Sequence, residues 1–221
     1  MATSGTTTFN LDASDIIEEA YERCGLEVRS GYDIKTAKRS LNLLLQEIQN
    51  RHKPLWKEVL TTQALIDGTA EYTLSADIID ISNVVLRRSS TDTSVTIIDQ
   101  STYQALPNKT TEGKPSQVYF EKLATPKIHL YATPENSTDV LRFYARERIE
   151  DVGGYDKELD VPINAIPMII SGLSYMLAIK KAPERLSDLK FIYDEELLKF
   201  KTEDASNASL YILPGGRRYG F

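Results

Sequence analysis

Two histidines, one cysteine and pairs of adjacent carboxylates stand out in this sequence as side chains with the chemistry to transfer a proton or hold a metal. Glu18-Glu19, Glu195-Glu196 and Glu203-Asp204 could divide acid and base roles if burial split their pKa values. All three pairs sit among charged neighbours in helix-like segments, where a solvated face is the expectation. His52 closes a helical pattern and His129 lies in an alternating run, and neither has a cysteine or a second histidine at metal-ligand spacing. Cys24 is alone, so an intrachain disulfide is excluded and a thiolate cluster has no partners. Its neighbours Ile16, Ile17, Ala20 and Tyr21 make it a small core residue. Gly153-Gly154 reads as a loop, and no nucleophile elbow, phosphate loop or H-E-x-x-H motif occurs. We therefore expect no catalytic residues, no metal ligands, no cofactor and no enzyme.

Chemistry suited to binding is concentrated elsewhere. Residues 209–221 read S-L-Y-I-L-P-G-G-R-R-Y-G-F. Leu210, Tyr211, Ile212 and Leu213 suit an added strand or alternate pockets. Pro214-Gly215-Gly216 redirects the chain, Arg217 and Arg218 seek carboxylates, and Tyr219 and Phe221 are anchors of the kind that dominate interfaces. The competing reading is a tail that folds back over a groove of its own subunit.

The elements that must carry these residues divide the chain. Composition is ordinary, with 41% hydrophobic residues, 26% charged residues and a net charge of −6. That balance argues against general binding to a nucleic-acid backbone, which needs a basic face. The start has neither a cationic nor an apolar signal region. Ala165 to Ile179, interrupted by Pro167, Ser171, Gly172 and Ser174, is shorter than the roughly 18 apolar residues of a membrane span and reads as a buried helix.

Ser14 or Asp15 is expected to cap a first helix that runs through Cys24 and stops at Gly25. A second runs from about Asp33 to His52, with Ile34, Ala37, Leu41, Leu44, Leu45 and Ile48 on one face and Pro54 beyond its end. Lys35, Lys38, Arg39, Asn42, Gln46 and Gln49 occupy the other face. Asp67-Gly68 then signals a hairpin between the strand candidates on either side. Further strands are expected at 78–87, 95–98, 117–121, 127–131 and 139–146, with a short helix around Tyr103. Helix returns where Asn164 can cap a segment carrying Pro167, breaks at Ala182-Pro183, and resumes to about Ala205 with Leu189, Tyr193, Leu197 and Phe200 on one stripe.

The expected fold is α+β: a helical bundle formed by N- and C-terminal helix pairs, an inserted, mainly antiparallel β domain, and an extended C-terminal tail. The expected divisions are an arm at 1–12, a helical hairpin at 13–55, the β domain at 56–150, the second helical pair at 151–205 and the tail at 206–221. Trp56, just after Pro54, reads as a core residue.

This ordering resembles the head-to-tail adaptor (gatekeeper or tail-tubular) proteins of short-tailed bacteriophages. Three stretches carry the resemblance: A-K-R-S-L-N-L-L-L-Q-E-I-Q-N-R-H-K-P-L-W, D-G-T-A-E-Y-T-L-S-A-D-I-I-D-I and Y-D-E-E-L-L-K-F-K-T-E-D-A-S. Ser75 stands where the family's phrase has proline. These are packing patterns rather than catalytic signatures, and as architecture they cover most of the chain.

The resemblance implies a homo-oligomeric ring of twelve copies, a homododecamer, beneath the portal protein ring. It would join head to tail, help retain packaged DNA, and meet the next tail component, a nozzle or tail-tube protein. The C-terminal segment would then dock on the portal, and DNA would pass through the channel without specific binding, with Glu18, Glu19 and Glu22 as candidates for its lining. The loops around Thr91 to Ser94 and Asn108 to Gly113 are expected to face the next tail component. The virion neck is the implied location, after assembly in the host cytoplasm. Alternatives are another neck ring protein, a wall-degrading enzyme acting through Glu195-Glu196, and a monomeric α+β binding module.

Overall fold

The computed structural model describes residues 11–204. The chain opens with α1 (Ala13–Arg23) and α2 (Gly31–His52) and closes with α4 (Ile166–Lys181) and α5 (Leu186–Glu203). Between them run β1 (Glu58–Ala64), β2 (Glu71–Thr73), β3 (Ile78–Arg88), β4 (Thr91–Ser94), β5 (Thr96–Ile98), the short helix α3 (Gln100–Ala105), β6 (Glu112–Gly113), β7 (Gln117–Glu121), β8 (Lys127–Tyr131), β9 (Thr133–Pro134) and β10 (Val140–Glu147). The α+β expectation holds.

The first helix starts earlier than its sequence signals suggested. Asp12, not Ser14 or Asp15, is the N-cap, and it forms a reciprocal capping box with Asp15. The side chain of Asp12 accepts from the amide of Asp15, which satisfies an otherwise orphaned helix-start donor. Gly25, at a φ of 72°, makes the left-handed exit after Cys24. Ser30 caps α2, and Lys53, also left-handed, ends it one residue before Pro54. Asn164 caps nothing: it lies inside a 3-10 turn, Ile163–Ala165, that leads into α4, so Pro167 still falls in the first turn, where its missing amide costs no bond.

The helices share one core. Ile16, Ile17, Ala20 and Tyr21 from α1 meet Ala37, Leu41, Leu44 and Ile48 from α2, and Leu189, Tyr193 and Phe200 from α5 close it. α4 lies at its centre, packed on α1, α2 and α5, with Met168, Ile169, Leu173, Leu177 and Ala178 buried. With its leading turn it is long and apolar enough to cross a membrane by length and composition, but its apolar surface is spent on three helical neighbours. The helices approach so closely at Gly172 that a Cβ there would stand 2.8 Å from Tyr193 and 2.9 Å from Leu44.

The strands build a second core. One four-stranded sheet has the order β1-β10-β3-β4, a second has the order β2-β8-β7-β5, and β6 and β9 pair in a small two-stranded sheet. Leu86, Leu141 and Phe143 from the first and Val118, Ile128 and Leu130 from the second are fully buried between them. Pairing is antiparallel except at β5-β7 and β6-β9.

Asp67-Gly68 does not make a hairpin. β1 pairs with β10 and β2 with β8, so the turn carries the chain from one sheet to the other. The reason is long-range: the amide of Leu65 bonds the Asp139 carbonyl and that of Gly68 the Pro134 carbonyl, which outcompetes local pairing. Thr91 to Ser94 is likewise strand β4 against β3, not a loop. Trp56 packs at the margin of the helical core, edge-on to Phe200 at 5.4 Å between ring centroids.

Candidate functional site

The cysteine and the two histidines are held in structural surroundings. Burial raises the pKa of the Cys24 thiol, so it stays protonated, and its Sγ donates to the Ser174 carbonyl in the core. Burial lowers the pKa of His52, with Lys201 adding repulsion, so this ring is neutral at pH 7. His129 is held on β8 between two carboxylates, with Nε2 3.1 Å from Glu121 and Nδ1 3.7 Å from Glu71. Its ring also stacks on Tyr119 at 5.6 Å. The environment is ionic and aromatic, and among the described residues no group of three or more His, Cys, Asp or Glu side chains could hold a metal.

Of the acidic pairs, Glu18, Glu195 and Glu203 are exposed and their partners half-buried. Lys199 bridges Glu195 and Glu196 at 3.3 and 2.8 Å.

The polar face of α2 does more than meet solvent. Asn42 accepts from the Val152 amide at 2.9 Å and Gln49 from the Ile149 amide at 2.8 Å, while Lys38 donates to the Gly153 carbonyl. Spaced to lie on one flank, these side chains tie down the segment that returns from the sheets to α4. Lys57 and Asp160, 2.7 Å apart, brace the outgoing and returning chains against each other. At the far end Asp204, just past α5, accepts from the Leu55 amide at 3.0 Å. The C-terminal end of α5 is thereby held beside the root of the β region.

At the end of the β1-β10-β3-β4 sheet away from Leu55, Arg88 makes a two-pronged contact with the buried Asp139, at 2.8 and 3.0 Å, and also reaches Glu135 at 2.8 Å. This pairing raises the pKa of the guanidinium still further. Asn136 adds a donor to Asp139 from the other side.

Surface grooves cluster along α1. Asp15, Glu18, Glu19 and Glu22 line one of about 460 Å3 with Leu11 and Ile170. Arg23, the lone cation of α1, is committed to Glu19 and Ser171 at 2.8 and 2.9 Å. The exposed flank of α1 is thus acidic, with Glu18, Glu19 and Glu22 together on it. At its C-terminal end Lys181 binds Asp33 and lies 5.2 Å over the Tyr21 ring, joining α1, α2 and α4.

Leu210, Tyr211, Ile212, Leu213, Pro214, Arg217, Arg218, Tyr219 and Phe221 lie outside the described residues. The sequence reading also passed over large apolar side chains that point outward from helices, Leu43 on α2 and Phe191 and Leu198 on α5. Their signal was present: each falls out of phase with the core stripe of its helix.

No curated protein matches the chain. A family model described as SU10 adaptor protein matches residues 11–195, from the cap of α1 into the middle of α5.

Proposed function

The chain belongs to the SU10 adaptor protein family, a phage head-to-tail adaptor family, and we propose from this that its copies form a ring beneath the portal that joins head to tail and helps retain packaged DNA. A phage adaptor of this family is a structural protein of the virion neck. The observation that carries the reading is the extent of the match, which takes in the helical core and both sheets rather than one module.

In this reading the ring has twelve copies and is templated by the portal in the host cytoplasm. Residues 206–221 are the docking element: Leu210 to Leu213 fill alternate pockets, Arg217 and Arg218 meet portal carboxylates, and Tyr219 and Phe221 anchor the end. Repetition around a ring makes a modest contact per copy nearly permanent. The acidic flank of α1 suits a channel through which DNA slides without being held.

Native mass spectrometry of the full-length chain and of a form stopped after Ser206, each mixed with the portal ring of the same phage, tests this. Loading of the full-length chain at a fixed multiple, and failure of the short form, is the expected result. Equal loading of both forms would remove the docking role of the tail. Absence of loading by either would remove the ring.

A further inference from the structure

α5 is apolar on two opposite sides. Leu189, Tyr193 and Phe200 face the core, while Phe191 and Leu198 stand on the far side at 70% and 66% exposure. Seven residues apart, they lie on one stripe about 10 Å long. Around them are the exposed carboxylates Asp188, Asp194 and Glu195. Lys199 neutralises part of Glu195 and Lys201 stands one turn beyond Leu198, so the carboxylates dominate the N-terminal half of the stripe, around Phe191.

α2 carries a matching stripe of opposite sign. Tyr32 and Leu43, 68% and 59% exposed, bracket Lys35 and Arg39 on the side away from Ala37, Leu41 and Leu44. Among the described residues neither Lys35 nor Arg39 has a carboxylate partner within salt-bridge distance. Glu47, further along, is taken by Arg51 at 2.8 Å.

Resting on the ring reading above, we infer that the outward stripe of α2 in one copy packs on the outward stripe of α5 in the next. The charges select this pairing. Two basic α2 stripes would repel each other, whereas the Asp188, Asp194 and Glu195 end of the α5 stripe offers Lys35 and Arg39 carboxylates. A head-to-tail contact needs two unlike, complementary patches on one chain, and these two helices supply them. A foreign partner would account for one stripe and leave its counterpart unexplained. Both helices pack on α4 through their opposite faces, Leu44 and Tyr193 meeting at Gly172, so both stripes look away from the shared core.

Charge reversal in the full-length chain tests this. Lys35→Glu with Arg39→Glu makes one variant, Asp194→Lys with Glu195→Lys a second, and all four substitutions in one chain a third. Loading of the unchanged chain on the portal ring is measured first by native mass spectrometry, since its absence sinks the ring reading and this inference together. Given that loading, each two-residue variant should load about tenfold less well, the effect of roughly one lost contact energy step. The four-residue variant should recover, because every junction regains opposite charges. Circular dichroism of each free variant confirms that its helices persist. Unchanged loading by the two-residue variants, or no recovery by the combined one, overturns the α2–α5 contact and leaves the ring standing.

Discussion

Replacing Gly172 by alanine sets two effects of opposite sign against each other. A glycine inside α4 costs about 1 kcal/mol relative to alanine, so on propensity alone the substitution stabilises. The structure opposes this. The added Cβ would meet Tyr193 Cε2 at 2.8 Å and Leu44 Cδ1 at 2.9 Å, where ordinary contact begins at 3.4 Å. Both neighbours must therefore withdraw by about half an ångström in a close-packed interior, and overpacking of this kind costs about 1–3 kcal/mol.

Packing wins, for a net loss of about 1 kcal/mol and a fall of about 2–4 °C in Tm for a chain of this length. Thermal unfolding followed by helical circular dichroism reads it. Leu44→Ala supplies the control: it costs about 2–5 kcal/mol by itself, but it removes one of the two obstructing atoms. Gly172→Ala should then be close to neutral in that background, with a coupling of the kind a double-mutant cycle isolates. A rise in Tm for Gly172→Ala alone, or the same loss in both backgrounds, would refute the close-approach argument.

Two further outcomes follow from ion pairs. Asp139→Ala strips Arg88 of its buried partner; because Arg88 is about a third exposed and keeps Glu135, the loss should be about 2–3 kcal/mol, below that of a fully buried pair, as read by urea denaturation. Lys181, through its hydrogen bond, holds the Asp33 carboxyl below the ordinary aspartate range, so Asp33 contributes stability that is present above that range and is lost as the solution is acidified through its lowered folded pKa. A Tm-against-pH profile should thus fall more steeply below about pH 4 for the unchanged chain than for Asp33→Asn, and parallel profiles would dismiss the pair.

The helical periodicity was legible because burial is one-sided and repeats every turn. Ala37, Leu41, Leu44, Leu45 and Ile48 are all buried, as their spacing requires, and strands 117–121 and 127–131 alternate as read. Local signals failed where a distant group competed. Asp67-Gly68 has hairpin chemistry, yet the carbonyls of Asp139 and Pro134 claim the amides of Leu65 and Gly68. The cap of α1 moved to Asp12 because carboxylates at both ends of the box satisfy two donors at once. Of the candidate surfaces, the acidic flank of α1 was visible as a run of glutamates. The ties from Asn42 and Gln49 were not, because their partners are backbone amides 110 and 100 residues away.

The helical core joins the two ends of the chain, and this sets the order in which a nascent copy can fold. α1 and α2 emerge from the ribosome first, but their shared apolar face is completed only by α4 and α5, synthesised more than a hundred residues later. The sheets close on their own residues, with β10 arriving before α4, so they can form while the first two helices still wait. Closing so long a loop carries an entropy cost and slows the final step, whereas a β unit already compact shortens the effective loop between the helix pairs. Until α4 docks, Leu41, Leu44 and Ile48 remain uncovered, and this is the interval in which a chaperone would bind or copies would aggregate.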